Sequence, residues 1–162
     1  MRFAVIGGAG FIGSYLTKQL LKNGHYVLVI DNLHTGKKEN LKNLENMEFY
    51  NIDIRNYLEL QKVLKNIDGI FHEAALTNVQ ESFEKPEEYY DVNVNGTENI
   101  FKIANNCDIK VVFASSASIY GNVDKMLITE DTPSNPINPY GKTKVECEKL
   151  AKKYSKRGLP VI

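Results

Sequence analysis

The sequence has no excess of charge: twenty lysine and arginine residues balance twenty aspartate and glutamate. That balance gives no electrostatic reason to expect a nucleic acid or an anionic membrane surface as partner. Its two cysteines, Cys107 and Cys147, are too few for a metal-ligand cluster or a dense disulfide framework. They read as free, buried thiols, no metal site is expected, and a reducing, cytoplasmic location is the default. No apolar run approaches the roughly 20 residues that a membrane helix needs. Met1 to Ile6 carry one charged side chain and a short apolar stretch that runs straight into glycines, which does not read as a signal peptide. The remainder is ordinary globular composition, 43% hydrophobic and 25% charged over 162 residues. That is one domain's worth of chain, long enough to bury a core without covalent staples.

Apolar, β-rich runs alternate with helical patterns. Strands are expected at Arg2 to Ile6, Tyr26 to Ile30 (ending on Asp31), Met47 to Tyr50, Gly69 to His72 and Lys110 to Ala114. Between them, Ile12, Leu16 and Leu20 recur at four-residue steps with Asn23-Gly24 as a stop, and Tyr57 to Leu64 forms a shorter helix. Pro86 suits a first helical turn, after which Tyr89, Asn93, Gly96, Ile100 and Ile103 share one face. A last helix runs from about Pro139 to Arg157. Strand–helix alternation predicts an α/β, doubly wound parallel sheet covered on both faces, a Rossmann-type dinucleotide fold spanning 1–162. The loop from about Gly121 to Asn138 is long and rich in proline, which marks it as functional or mobile. Beyond Gly158, Leu159 to Ile162 read as the start of a further buried strand.

Gly7, Gly10 and Gly13 stand between the first strand and the first helix. In a dinucleotide-binding turn the first glycine permits the tight bend, the second lets a pyrophosphate approach the backbone, and the third lets the helix pack on the sheet. The unsatisfied N–H groups and positive dipole of the helix start favour an anion. A glycine-rich turn alone is weak evidence. Asp31 closes the second strand eighteen residues past Gly13, near the spacing of about 20 at which a carboxylate takes the hydroxyls of an adenosine ribose. It would repel a 2′-phosphate, so NAD is preferred to NADP.

Tyr140 and Lys144 lie four residues apart on the last helix, which puts them on one face. A phenol is a poor base at neutral pH, with a reference pKa of about 10, and a neighbouring ammonium favours the phenolate. The pair makes a candidate general base for a sugar hydroxyl. In isolation the same spacing reads first as a packing tyrosine beside a solvated lysine. Ser115, Ser116 and Ser118 follow the fifth strand, where ligands of parallel sheets bind, although serines also form turns. His72, closing a strand, reads as structural rather than as a proton carrier.

Seven motifs in order carry a resemblance: Gly7-Gly8-Ala9-Gly10-Phe11-Ile12-Gly13, Asp31-Asn32-Leu33, Asp53-Ile54-Arg55, His72-Glu73-Ala74-Ala75, Asn93-Val94-Asn95-Gly96-Thr97, Ser115 to Gly121, and Pro139-Tyr140-Gly141-Lys142-Thr143-Lys144. The chain resembles the extended short-chain dehydrogenase/reductases, in the branch of NAD-dependent nucleotide-sugar epimerases and dehydratases. The resemblance implies that Gly7, Gly10, Phe11, Ile12 and Gly13 cradle the pyrophosphate of NAD. It puts Asp31 and Asn32 on the adenosine ribose, and Asp53 and Ile54 beside the adenine, the Asp53 carboxylate accepting from its amino group. Ala74, Ala75 and Leu76 would line the cofactor's middle, and Asn93 would brace the central strands. Ser116 becomes the catalytic hydroxyl, Tyr140 the base, and Lys144 a ligand of the nicotinamide ribose. Family dehydratases and decarboxylases carry acids after the catalytic hydroxyl. Ala117 and Ser118 stand there instead, which favours 4-epimerisation of a nucleotide sugar, a UDP-hexose first. The resemblance also implies a homodimer built on the Asn93 and Tyr140 helices. Members of the family continue into a substrate lobe, which this chain is expected to lack. A related dehydratase or epimerase, and a non-catalytic NAD-binding fragment, stay open as alternatives.

Overall fold

Five short runs rich in β-branched and aromatic residues form β1 (Arg2–Ile6), β2 (Tyr26–Asp31), β3 (Met47–Asn51), β4 (Gly69–His72) and β5 (Lys110–Phe113). All pair in parallel in the order β3-β2-β1-β4-β5. The computed structural model describes residues 1–123 and 127–162, so part of the proline-bearing loop lies outside the described residues. The helices are α1 (Phe11–Lys22), α2 (Tyr57–Val63), α3 (Val79–Glu84), α4 (Pro86–Tyr90), α5 (Gly96–Asn106) and α6 (Pro139–Ser155). Asparagines start three of them. The Asn56, Asn78 and Asn138 side chains accept from the N–H of Glu59, Glu81 and Gly141, satisfying donors that a helix start leaves free.

Strand alternation sorts the core into two layers. Ala4 and Ile6 of β1, with Leu28 and Ile30 of β2, face a layer containing Leu60 of α2, Ile100, Phe101 and Ile103 of α5, and Tyr154 of α6. Val5, Val27 and Val29 face the opposite way, toward Leu16 and Leu20 of α1 and Leu41. The expected cover on both faces is complete only on the α2–α5–α6 side. On the other side Val112 of β5 remains 38% exposed, because α1 packs against β1 and β2.

Two features were not read from sequence. Helix α3 is short and lacks an apolar period. Between α4 and α5 the chain makes a π-helical turn, Asp91–Asn95, an insertion of wider pitch often found at functional positions. After α6, Val161 pairs in parallel with Val111, and the Val111 N–H donates to the Pro160 carbonyl at 2.9 Å, so a sixth strand position begins beside β5. Among the described residues no helix is long and apolar enough to cross a membrane. Cys147 is buried as expected, whereas Cys107 is exposed because it lies just past the end of α5.

Candidate dinucleotide site

The strand order reverses between β1 and β4. In an open parallel sheet that reversal leaves a crevice at the carboxyl ends of the strands, since the connections depart in opposite directions. The glycine turn after β1 and the Glu73–Thr77 segment after β4 form its two walls. Together they line a groove of about 400 Å³, within the usual range for ligand sites.

The glycines are fixed by contact as well as by conformation. Gly7 has φ +82°, and a Cβ there would lie 2.7 Å from the Ala74 nitrogen. A Cβ on Gly13 would lie 2.2 Å from the Gly7 carbonyl oxygen. Gly10 differs, since an added Cβ would meet only the Gly7 oxygen, at 3.2 Å. No side chain caps the first turn of α1, which leaves its N–H groups directed at the groove.

Asp31 ends β2 almost completely buried. Its Oδ2 accepts from the Ala9 N–H at 3.0 Å and its Oδ1 from the Leu33 N–H at 2.8 Å, so the carboxylate ties the glycine turn to the strand beside it. Gly7, Gly10, Phe11, Ile12, Gly13, Asp31, Asn32, Ile54, Ala74, Ala75 and Leu76 all line the groove. Asp53 is occupied differently. Its Oδ1 accepts from the backbone and Nε of Arg55, and its Oδ2 from Arg55 Nη2 at 2.8 Å and Asn32 Nδ2 at 3.0 Å. These four bonds fill a carboxylate's acceptor positions. The Arg55 guanidinium holds Asp53 well below the usual carboxylate range. Arg55, Glu73 and Thr77 line the groove without having been singled out as ligands from sequence. The one sequence signal toward the site was that Arg55 and Glu73 lie inside two of the family motifs, Asp53-Ile54-Arg55 and His72-Glu73-Ala74-Ala75.

Asn93 does not line the groove. Buried in the π turn, its Oδ1 accepts from the Leu76 N–H at 2.8 Å, while its Nδ2 donates to the Leu76 carbonyl at 3.0 Å and to Thr143 Oγ1 at 3.1 Å. It braces the loop after β4 against α6 rather than bonding to the central strands. Behind it lies a buried polar layer. The Cys147 thiol donates to the Asn93 carbonyl, and His72 Nε2 is 2.9 Å from Thr97 Oγ1. Burial, aided by the charge of Lys144, pushes the His72 pKa down to about 3, which keeps the ring neutral.

Ser116, Tyr140 and Lys144 do not line the groove; they lie on the turn after β5 and on α6. Ser116 caps a 3₁₀ turn, its Oγ accepting from the Ser118 N–H at 3.2 Å, which leaves its own proton free to donate. An added Cβ on Gly141 would lie 2.6 Å from the Ser118 carbonyl oxygen, so this turn and the start of α6 meet backbone to backbone. Tyr140 and Lys144 follow on α6, both buried. Lys144 Nζ donates to the Ala114 carbonyl at 2.8 Å and lies 5.0 Å from the centre of the Phe113 ring. Burial lowers the Lys144 pKa, opposed by the nearby Cys147 and Glu73. No group of three or more His, Cys, Asp or Glu among the described residues is arranged to hold a metal.

A parallel sheet with an uncapped glycine turn at its switch point and a buried carboxylate closing the adjacent strand defines a nucleotide-cofactor-binding protein of the Rossmann class. Residues 4–162 match the family model described as GDP-mannose 4,6 dehydratase, and the chain belongs to that family. It is 45% identical over 153 residues to a UDP-glucose 4-epimerase of Lactobacillus helveticus, covering 93% of this chain and 46% of the relative. Its fold superposes with TM-score 0.93 on a Thermus thermophilus UDP-glucose 4-epimerase in complex with NAD, at 34% identity, over 99% of this chain and 53% of that one. A Streptomyces venezuelae dTDP-glucose 4,6-dehydratase with NAD bound gives TM-score 0.94 at 33% identity, over 99% and 54%. The chain thus spans about half the length of the relatives it matches.

Proposed function

We propose that this chain binds NAD and is the cofactor-binding part of a nucleotide-sugar 4-epimerase of the UDP-glucose/UDP-galactose type. The observation that carries the reading is the groove at the switch point, which joins Asp31 to the uncapped helix start and to Glu73, whose charge acts on Lys144. The residues fit the cofactor. Asp31, which has no ion-pair partner among the described residues, takes the adenosine ribose, with Asn32 beside it. Gly7, Gly10, Phe11, Ile12 and Gly13 offer backbone to the pyrophosphate, and Gly10 has no side chain in the way. Ile54 packs at the adenine, and Asp53 takes part through Arg55 and Asn32. Ala74, Ala75 and Leu76 line the middle, held by Asn93.

Bound there, NAD supplies a hydride acceptor and donor for C4 of the sugar. The chain's own residues handle the proton. Tyr140 removes it from the 4-hydroxyl, Ser116 donates a hydrogen bond to the same oxygen, and Lys144 supplies positive charge to the phenolate and binds the nicotinamide ribose. Proton and hydride are returned after the sugar presents its other face, so no net oxidation results. Ala117 and Ser118 offer no acid for elimination, which favours epimerisation over the dehydratase reading despite the likeness to that enzyme.

Calorimetric titration with NAD and NADP tests the first half. Heat with NAD and much less with NADP is expected, and no heat with either overturns it. Turnover is tested in the protein carrying both halves by the interconversion of UDP-glucose and UDP-galactose. There Tyr140→Phe removes conversion and leaves NAD binding intact. Binding without turnover of any nucleotide sugar would instead support a non-catalytic module. A homodimer through α4–α5 and α6, and a cytoplasmic location, complete the proposal. Sedimentation of the purified chain checks the former.

A further inference from the structure

Glu73 is an acidic side chain in a groove built for an anion. It follows β4 directly, its N–H donating to the Ile6 carbonyl at 2.8 Å, and it lines the wall opposite the glycine turn. The side chain is half-buried, and its carboxylate has neither a hydrogen-bond nor an ion-pair partner among the described residues. Burial raises its pKa, and the one charge acting against that is Lys144. Of the other charged groups lining the groove, Asp31 adjoins Asn32, Arg55 is bonded to Asp53, which also accepts from Asn32, and Glu88 lies 4.0 Å from Lys85.

A partly desolvated carboxylate without a partner is costly unless something positive meets it when the groove is filled. Lys144 does not fill that role: no ion pair joins it to Glu73 among the described residues, and its Nζ donates to the Ala114 carbonyl. A dinucleotide offers one positive group, the oxidised nicotinamide ring, and this charge disappears on reduction. We propose that Glu73 sets the redox preference of the groove, holding the oxidised coenzyme more tightly than the reduced one through the charge of the ring. This rests on the NAD reading above. For an enzyme that must begin each cycle oxidised, such a preference suits the chemistry.

The test is the ratio of dissociation constants, Kd(NADH)/Kd(NAD), measured by titration on the chain itself and on variants. Glu73→Gln lowers the ratio by about tenfold, the scale of one charge acting across several ångströms of partly solvated protein. Glu73→Leu, which removes the charge without supplying an amide, lowers it similarly, and Glu73→Asp preserves it. ADP-ribose, which lacks the ring, changes affinity by less than about threefold in every variant. An unchanged ratio in Glu73→Gln and Glu73→Leu overturns the inference, as does an equal loss for NAD and ADP-ribose. Failure of the unmutated chain to bind either coenzyme overturns the NAD reading and this inference together, which distinguishes the two outcomes.

Discussion

The side-chain amide of Asn93 and the backbone of Leu76 pair in both directions, N–H to Oδ1 at 2.8 Å and Nδ2 to carbonyl at 3.0 Å. The amide thereby stands in for a neighbouring strand and holds the groove wall after β4 in an extended path. Asn93→Ala strips partners from the part-buried N–H and carbonyl of Leu76 and from buried Thr143 at once. A loss of about 3 kcal/mol is expected, a fall in Tm of roughly 6–12 °C by thermal unfolding. NAD affinity falls with it, because Leu76 lines the groove.

The three motif glycines separate folding from binding. Gly13→Ala forces a Cβ to 2.2 Å from the Gly7 oxygen and is expected to destabilise the chain by about 3 kcal/mol. Gly10→Ala meets only one atom, at 3.2 Å, and costs about 1 kcal/mol or less. Its effect is instead on NAD, whose pyrophosphate needs that space, and an affinity loss of at least tenfold is expected by calorimetry. If Gly10→Ala bound NAD normally, the pyrophosphate would have to lie elsewhere.

Asp31 makes two hydrogen bonds to its own chain before any ligand arrives. Asp31→Asn keeps the shape but loses the charge, and only one end of the amide can accept. NAD affinity should drop by about tenfold while discrimination against NADP narrows, as read from paired titrations.

Acid sensitivity should trace to His72. Its folded-state pKa of about 3 lies below the ordinary value of 6.5, so the unfolded chain binds the proton more readily. The neutral ring's contribution is therefore complete above pH 6.5 and is lost progressively as pH falls toward 3. Between pH 6.5 and 4 the loss amounts to about 3 kcal/mol. Asp53, depressed by Arg55, adds its own loss only below its ordinary pKa of about 4. Urea unfolding across this range checks the assignment, since His72→Gln should flatten the dependence above pH 4.

Much of this was legible in the residues because it is local. Gly7-Gly8-Ala9-Gly10 can only turn tightly, and β1 and β2 are apolar on alternating sides, which commits them to a sheet buried on both faces. Asn138 followed by Pro139 is a helix start that needs no neighbours to be recognised. The ordered motifs then named many of the residues that line the groove. Other features left no local signal. Helix α3 has only six residues and no apolar stripe. The π turn at Asp91–Asn95 follows from the partners of Asn93, which lie 17 and 50 residues away along the chain.

The spacing of glycine, carboxylate, phenol and ammonium thus fixed a doubly wound sheet and its cofactor class, because each of those choices is enforced within a turn or a strand. Folding decided which polar atoms are already taken. Asp53 is saturated by Arg55 and Asn32, Lys144 is held on the Ala114 carbonyl, and Asn93 is consumed as a brace. Glu73, lining the groove, has no hydrogen-bond or ion-pair partner among the described residues. Hydrogen-bond capacity is used up by whatever residue the chain brings within about 3 Å, and that depends on packing between segments far apart in sequence.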